Sequence, residues 1–132
     1  MKHAILVVED NPLNRELLCD WLEAEGYEVS SVENLSSAIA SIEQRSPDTV
    51  LLDVQLGDDD GLSLAAWMRK QPKLCHIPVI AVTAHALVTE QHSFLQAGCN
   101  ASVSKPINFQ ILREELQRWL KNRNVPEVSS HS

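Results

Sequence analysis

Short runs of aliphatic and β-branched residues, each followed by a segment with helical spacing, constrain this chain more than any other feature. Ala4-Ile-Leu-Val-Val8 is apolar without a break. A strand reads this way when it lies in a parallel sheet covered on both faces, because alternation survives only where one face meets water. Apolar residues then recur at helical spacing, through Leu13, Leu17 and Trp21 and through Leu18 and Leu22, as far as Gly26, a natural terminator. The pattern repeats. Tyr27 to Val32 predicts a second strand, Leu35 to Arg45 a helix with Ala38, Ile39 and Ile42 on one stripe, and Thr49 to Leu52 a third strand. Gly61 to Lys70 predicts a helix, Pro78 to Val82 a strand with its proline at the permitted entry, and Ala86 to Ala97 a helix closed by Gly98. Ala101 to Ser104 is a weak last strand, and Ile107 to Asn122 a last helix with Leu112, Leu116 and Leu120 along one side. Five such βα units imply an α/β, doubly wound parallel sheet, since right-handed crossovers place helices on both faces.

Length and charge narrow the classes. A chain of 132 residues is about one domain, and residues 123–132 read as a polar tail, disordered by composition. No apolar stretch approaches the length of a membrane span, and Met1-Lys2-His3 runs into the first strand without the apolar core of a leader; the expectation is a cytoplasmic protein with no membrane insertion. Eighteen acidic against eleven basic residues leave a net charge of −7, which repels a phosphate backbone and argues against direct nucleic-acid binding. Cys19, Cys75 and Cys99 are odd in number and far apart, which suits neither a disulfide framework nor zinc; they read as buried or half-buried thiols.

In such a sheet, chemistry gathers at the carboxyl ends of the strands, and the unusual residues fall there. Glu9-Asp10 ends the first strand, Asp53 the third, Thr83 the fourth and Lys105 the fifth. Three carboxylates at one edge repel one another unless a cation joins them. Oxygen donors without a histidine or cysteine at these strand ends favour a hard divalent ion, Mg²⁺ above others. An aspartate facing that ion, a lysine and a hydroxyl is equipped as a nucleophile toward a phosphoryl group, which makes Asp53 a phosphate acceptor.

Taken singly, each residue has a plainer reading. Asp10 or Asn11 would serve as a helix N-cap, and Lys105 as a solvated side chain. Asp58, Asp59 and Asp60 suggest a calcium loop, but placing Gly61 at the loop glycine puts Leu56 at the first ligand and Trp67 at the last, so Asp60 with Gly61 is read as capping the third helix. His85 and His92, seven apart, lack a third ligand and are read as exposed.

The stretches VVEDNPLNR, LLDVQL with its following DG, AVTA and SKP, in this order and spacing, resemble the receiver domain of bacterial response regulators, from residue 4 to about 121. The resemblance implies a receiver over residues 1–122, of the flavodoxin-like (βα)5 fold with strand order 2-1-3-4-5; it resembles the stand-alone, CheY-like class, and in HIPVIAVTAHA and GCNASVSKPI also stand-alone bacterial cell-cycle regulators and the receivers attached to hybrid sensor kinases. It implies Asp53 as the phosphoaspartate; Asp10 as a direct Mg²⁺ ligand, Glu9 mainly through water, and the backbone carbonyl of Gln55 as a further ligand; Thr83 and Lys105 on phosphoryl oxygens; and a cis Lys105-Pro106 peptide. The implied partners are a sensor histidine kinase or histidine phosphotransfer protein and a downstream protein target, with Pro12, Leu13 and Leu17 as docking residues beside the site, Leu17 having an equal claim on the core. Ser102 stands where the family carries an aromatic switch residue, which moves the expected output response to the loop after Thr83. Gly57 replaces a common proline, while Gln55 and His85 occupy positions that tune hydrolysis. Two other readings differ in class: a receiver-like interaction domain that works without phosphorylation, and a metal-dependent phosphatase, which would need an acid where Gln55 stands.

Overall fold

The structure, a computed structural model, describes residues 3–56, 59–84 and 94–124. The elements run β1 (Ala4–Val8), α1 (Pro12–Ala24), β2 (Glu28–Val32), α2 (Leu35–Gln44), β3 (Thr49–Asp53), β4 (Gln55–Leu56), β5 (Asp59–Asp60), α3 (Leu62–Arg69), β6 (Val79–Thr83), β7 (Ala101–Ser104) and α4 (Phe109–Asn124). Five strands form one sheet in the order β2-β1-β3-β6-β7, every pairing parallel. Counted along the main sheet alone, this is the expected 2-1-3-4-5 order of a flavodoxin-like α/β fold. The antiparallel pair β4-β5, with Gln55 opposite Asp60, is an addition that the sequence pattern did not announce.

The uninterrupted apolar runs are explained by two cores. Leu6, Val8, Val50, Leu52, Val79 and Ala81 point to one face, where Ala38 and Ile42 of α2 and Leu64, Ala65 and Met68 of α3 cover them. Ile5, Val7, Leu51, Ile80 and Val103 point to the other, against Leu18 and Leu22 of α1 and Leu112, Leu116 and Leu120 of α4. Successive side chains of β1, β3 and β6 thus enter opposite cores, and the one polar side chain below the site in these strands, Thr49 at the start of β3, is buried with its hydroxyl donating to the Pro78 carbonyl.

Several boundaries and one face differ from expectation. In α1 the buried stripe is Leu18 and Leu22, while Leu13 is 75% and Leu17 54% exposed. Leu17 therefore is not a core residue; two apolar stripes lie side by side on this helix and only one meets the sheet. Asn11 sets the start of α1, its Oδ1 accepting from the Leu13 and Asn14 amides, with Pro12 in the first turn where no amide is needed. The last helix starts at Phe109 instead of Ile107 because Asn108 Oδ1 accepts from the Gln110 and Ile111 amides, and it runs to Asn124. Residues 94–97 are helical and Gly98 closes them with φ of 114°; the rest of the helix expected over 86–97 lies outside the described residues, as do 125–132 of the tail. All three cysteines are free thiols, Cys99 buried, Cys19 half-buried and Cys75 exposed, contrary to the expectation that each is at least half covered. Among the described residues no helix is long and apolar enough to cross a membrane.

Candidate phosphoacceptor site

Register brings the polar residues together. Val8 pairs with Leu52, Leu52 with Ala81 and Ala81 with Ser102, so the next step up the sheet sets Glu9 level with Asp53, Val82 and Val103. Thr83 stands one residue higher, paired with Ser104, and Lys105 follows. Chain continuation beyond an apolar strand thus delivers Glu9 and Asp53 to one level and Thr83 to the next, and all three are buried, at 1%, 5% and 2% exposure. Asp10 is exposed at the rim.

Glu9, Asp10 and Asp53 each offer a carboxylate oxygen within 4.8 Å of the others. Lys105 Nζ lies 3.3 Å from Glu9 Oε1 and 3.3 Å from Asp53 Oδ2, bridging two of the acids. Backbone amides supply further positive ends of dipoles: Gln55 N–H donates to Asp53 Oδ1 at 3.0 Å, and Asn11 N–H to Glu9 Oε2 at 3.2 Å. Arg15, whose role the sequence did not suggest, donates from Nη1 to the Glu9 carbonyl at 2.9 Å and ties the first strand end to α1. Of the expected ligands, Gln55 is present through its amide beside Asp53, with its side chain exposed.

One lysine does not neutralise three acids. Burial, a shared hydrogen bond with Asp53 and the like charge of Asp53 push Glu9 up to about 7. Burial alone would lower the Lys105 ammonium, but Glu9 and Asp53 outweigh it and hold the group above its ordinary value. Glu9 Oε1 is sealed from solvent without a directional hydrogen bond, its near neighbour being the Lys105 ammonium. A buried carboxylate oxygen left this way, among three hard oxygen donors, fits a divalent cation such as Mg²⁺.

Gly61 is the residue whose role the sequence reading missed. Its amide donates to the Val54 carbonyl at 3.0 Å, and a Cβ there would stand 2.3 Å from the Asp53 carbonyl oxygen. The start of α3 is thereby pressed against the end of β3, with Asp60 Oδ1 accepting from the Leu62 amide as the expected cap. The Asp-Gly pair signals a turn from sequence, not this close approach. The Lys105-Pro106 peptide is cis, as the resemblance implied. Ser102 sits half-buried in β7 opposite Ala81. Gly57, Asp58, His85 and His92 lie outside the described residues.

Beside the acids, Asn14, Leu17 and Leu18 of α1 face Lys105, Pro106, Ile107 and Phe109 across a groove of about 400 Å³. Exposed Leu13 and Leu17 continue its apolar character on the helix surface.

Comparison with known proteins agrees with this geometry. The family model of the response regulator receiver domain matches residues 5–117. The polar-differentiation response regulator DivK of Brucella anthropi is 38% identical over 120 residues, 91% of this chain and 98% of its own length. A putative response regulator from Chloroflexus aurantiacus superposes with a TM-score of 0.87 at 28% identity, covering 92% of this chain and all of that one. The receiver domain of a sensor histidine kinase from Pseudomonas aeruginosa, solved with a magnesium ion coordinated in its active site cleft, has a TM-score of 0.84 at 36% identity, over 92% of this chain and 100% of its own. With a matching fold, strand-end acids and a family model that spans most of its length, the chain belongs to the response regulator receiver domains of two-component signalling.

Proposed function

We propose that this receiver, residues 1–122, takes a phosphoryl group from a phosphohistidine of a sensor histidine kinase or histidine phosphotransfer protein onto Asp53, and signals through altered contacts with a downstream protein in the cytoplasm. The observation that carries the reading is the Lys105 ammonium 3.3 Å from both Glu9 and Asp53, at the edge where three carboxylates meet. Asp10, Asp53, the Gln55 carbonyl and, through water, Glu9 would hold Mg²⁺; the magnesium ion in the Pseudomonas aeruginosa receiver supports this assignment. Bound there, Mg²⁺ supplies positive charge to phosphoryl oxygens and to the crowded acids.

The chain's own residues account for the rest. Asp53 Oδ attacks phosphorus, the O–P bond forms as the histidine N–P bond breaks, and the imidazole nitrogen leaves with the electron pair. Gln55 N–H orients the carboxylate by holding Oδ1, leaving the other oxygen on the Lys105 side. Lys105 turns to a phosphoryl oxygen and Thr83, at the end of β6, donates its hydroxyl to another. The chain is thus a phosphoacceptor, acting only on its own aspartyl phosphate. The groove between α1 and the segment after Lys105, with exposed Leu13 and Leu17, supplies apolar surface for the phosphodonor beside the acceptor.

Incubation with acetyl phosphate should label one site per chain, require Mg²⁺ and fail in Asp53→Asn. Labelling that survives this substitution, or proceeds equally in chelator, would refute the assignment. Melting curves of the variant exclude unfolding as the reason for a lost label.

A further inference from the structure

Of the three acids at the strand ends, one has nothing to hold its side chain. Asp53 is fixed by the Gln55 amide and Lys105, and Glu9 by the Asn11 amide and Lys105. Among the described residues no hydrogen bond or ion pair reaches the carboxylate of Asp10, which is exposed at the rim, so its place is set by its backbone alone. Arg15 sets that backbone. Its guanidinium donates from Nη1 to the Glu9 carbonyl at 2.9 Å, and its own N–H donates to the Asn11 carbonyl at 2.9 Å, so one residue of α1 grips the chain on either side of Asp10. The approach from β1 is anchored as well, Glu9 N–H donating to the Val32 carbonyl at 3.1 Å.

We infer that Arg15 is a positioning residue for the divalent cation and that it acts through Asp10. The inference rests on the Mg²⁺ site proposed above and adds to it a residue that never touches the ion. A ligand that must be ordered when the ion arrives weakens binding by the freedom it loses, and a ligand ordered during folding does not. The grip of Arg15 orders the Glu9-Asp10-Asn11 segment in advance. Its charge works against this, because a guanidinium beside the acids repels an approaching cation. Charge and geometry therefore give the loss of this side chain opposite signs: charge alone predicts tighter cation binding without it, and positioning predicts weaker binding. The identity of the ion matters too. Mg²⁺ demands near-ideal octahedral geometry, whereas Ca²⁺ accepts a larger and more flexible shell. A placed Asp10 counts for more with Mg²⁺ than with Ca²⁺, which makes Arg15 a determinant of the preferred ion.

Mg²⁺ and Ca²⁺ are titrated separately into the full chain, with the Asp53 and Gln55 amides followed by NMR and melting curves recorded in chelator. Arg15→Met keeps an extended apolar stem but has nothing to donate; its Mg²⁺ Kd should rise about 10-fold or more, and its Ca²⁺ Kd by a smaller factor. Arg15→Leu takes its place if that variant fails to fold. Arg15→Lys, which keeps a donor on a long stem, should recover part of the loss. In an Asp10→Asn background the Arg15→Met change should leave Mg²⁺ affinity unaltered or raise it, since only the charge effect remains. Mg²⁺ bound by Arg15→Met as tightly as by wild type, or more tightly, overturns the inference and leaves the metal site intact. Equal weakening in the Asp10→Asn background also overturns it, since Arg15 would then act on the fold at large and not through Asp10. An equal loss for both ions overturns the role in ion preference. A wild-type protein whose amides do not respond to Mg²⁺ in the millimolar range defeats the metal site itself, and the inference with it.

Discussion

Gly61→Ala sets two effects of opposite sign against each other. The backbone of Gly61, with φ −57° and ψ −29°, is ordinary right-handed helical conformation open to any residue. On that ground alone, alanine would stabilise the protein by about 0.4–1 kcal/mol through the smaller entropy of its unfolded chain. Space decides otherwise. The new Cβ would stand 2.3 Å from the Asp53 carbonyl oxygen and 3.0 Å from Val54 Cα, both backbone atoms, where ordinary contact begins at 3.4 Å. Rotamers cannot relieve this, and α3 must part from β3 by about 1 Å. Overpacking of this kind costs about 1–3 kcal/mol and strains the Gly61 to Val54 hydrogen bond, so the net result is a loss of about 1–2 kcal/mol, or about 3–8 °C in melting temperature. Because the obstructing atom is the carbonyl of Asp53, the proposed acceptor, relaxation displaces that residue, and a shift near 1 Å in a reacting group can slow transfer by about 100-fold. Thermal unfolding and acetyl phosphate labelling measure the two consequences. Gly26→Ala is the control: its φ of 97° disfavours a side chain, but nothing lies within 4 Å, so stability should fall by about 1–2 kcal/mol with labelling unaffected. A Gly61→Ala protein that melts at or above wild type and labels at the wild-type rate refutes the packing argument.

Leu18→Ala should cost about 2–5 kcal/mol in urea unfolding and Leu17→Ala less than about 0.5, since only Leu18 faces the sheet. Arg69 donates to the Gly98, Cys75 and Ile77 carbonyls and to Asn100 Oδ1; Arg69→Ala should lose about 2–4 kcal/mol, and Arg69→Lys should not restore it, because an ammonium cannot fork to four acceptors on separate segments. Added Mg²⁺ should raise the melting temperature of wild type in the millimolar range and do so far less for Asp10→Asn, whose metal-free form is at least as stable because one repelling charge is gone. In chelator, Glu9 binds its proton more tightly in the folded state than at its ordinary 4.5, so the stability this group contributes is fully present below that value and is lost as pH rises through about 7; Glu9→Gln should flatten this part of the pH dependence.

What could be read from the sequence follows from which residues have only one physical solution. Ala4–Val8, Val50–Leu52 and Val79–Val82 are apolar at every position, and a strand of that kind can be satisfied only between two layers of helix. The sheet, its parallel sense and the gathering of acids at one edge were legible for that reason. On α1 the solution was not unique. Leu17 and Leu18 are adjacent, about 100° apart around the helix, and each continues an apolar stripe; the choice between them is made by the angle at which the Asn11 cap and Pro12 launch the helix over the sheet. The Arg69 network was illegible in a stronger sense. Its acceptors are backbone carbonyls and one amide up to 31 residues away, and carbonyls leave no mark in a sequence.

The acid at the end of an apolar strand has its explanation in charge balance. Asp53 and Glu9 are carried to one level by the register of β1 and β3, in a place dry enough that two neighbouring carboxylates cannot both ionise freely. Lys105 compensates one charge, the Gln55 and Asn11 amides compensate part of another, and Glu9 answers the remainder by holding its proton toward neutral pH. A group with more positive charge to bring, or a chemical change that removes charge from Asp53, relieves an imbalance already built into the fold. A well-packed leucine at position 53 would remove that imbalance and be no worse for the sheet, since Val50, Leu51 and Leu52 below it are already apolar. The aspartate therefore costs stability in the resting protein, and the crowding that imposes this cost also favours cation binding.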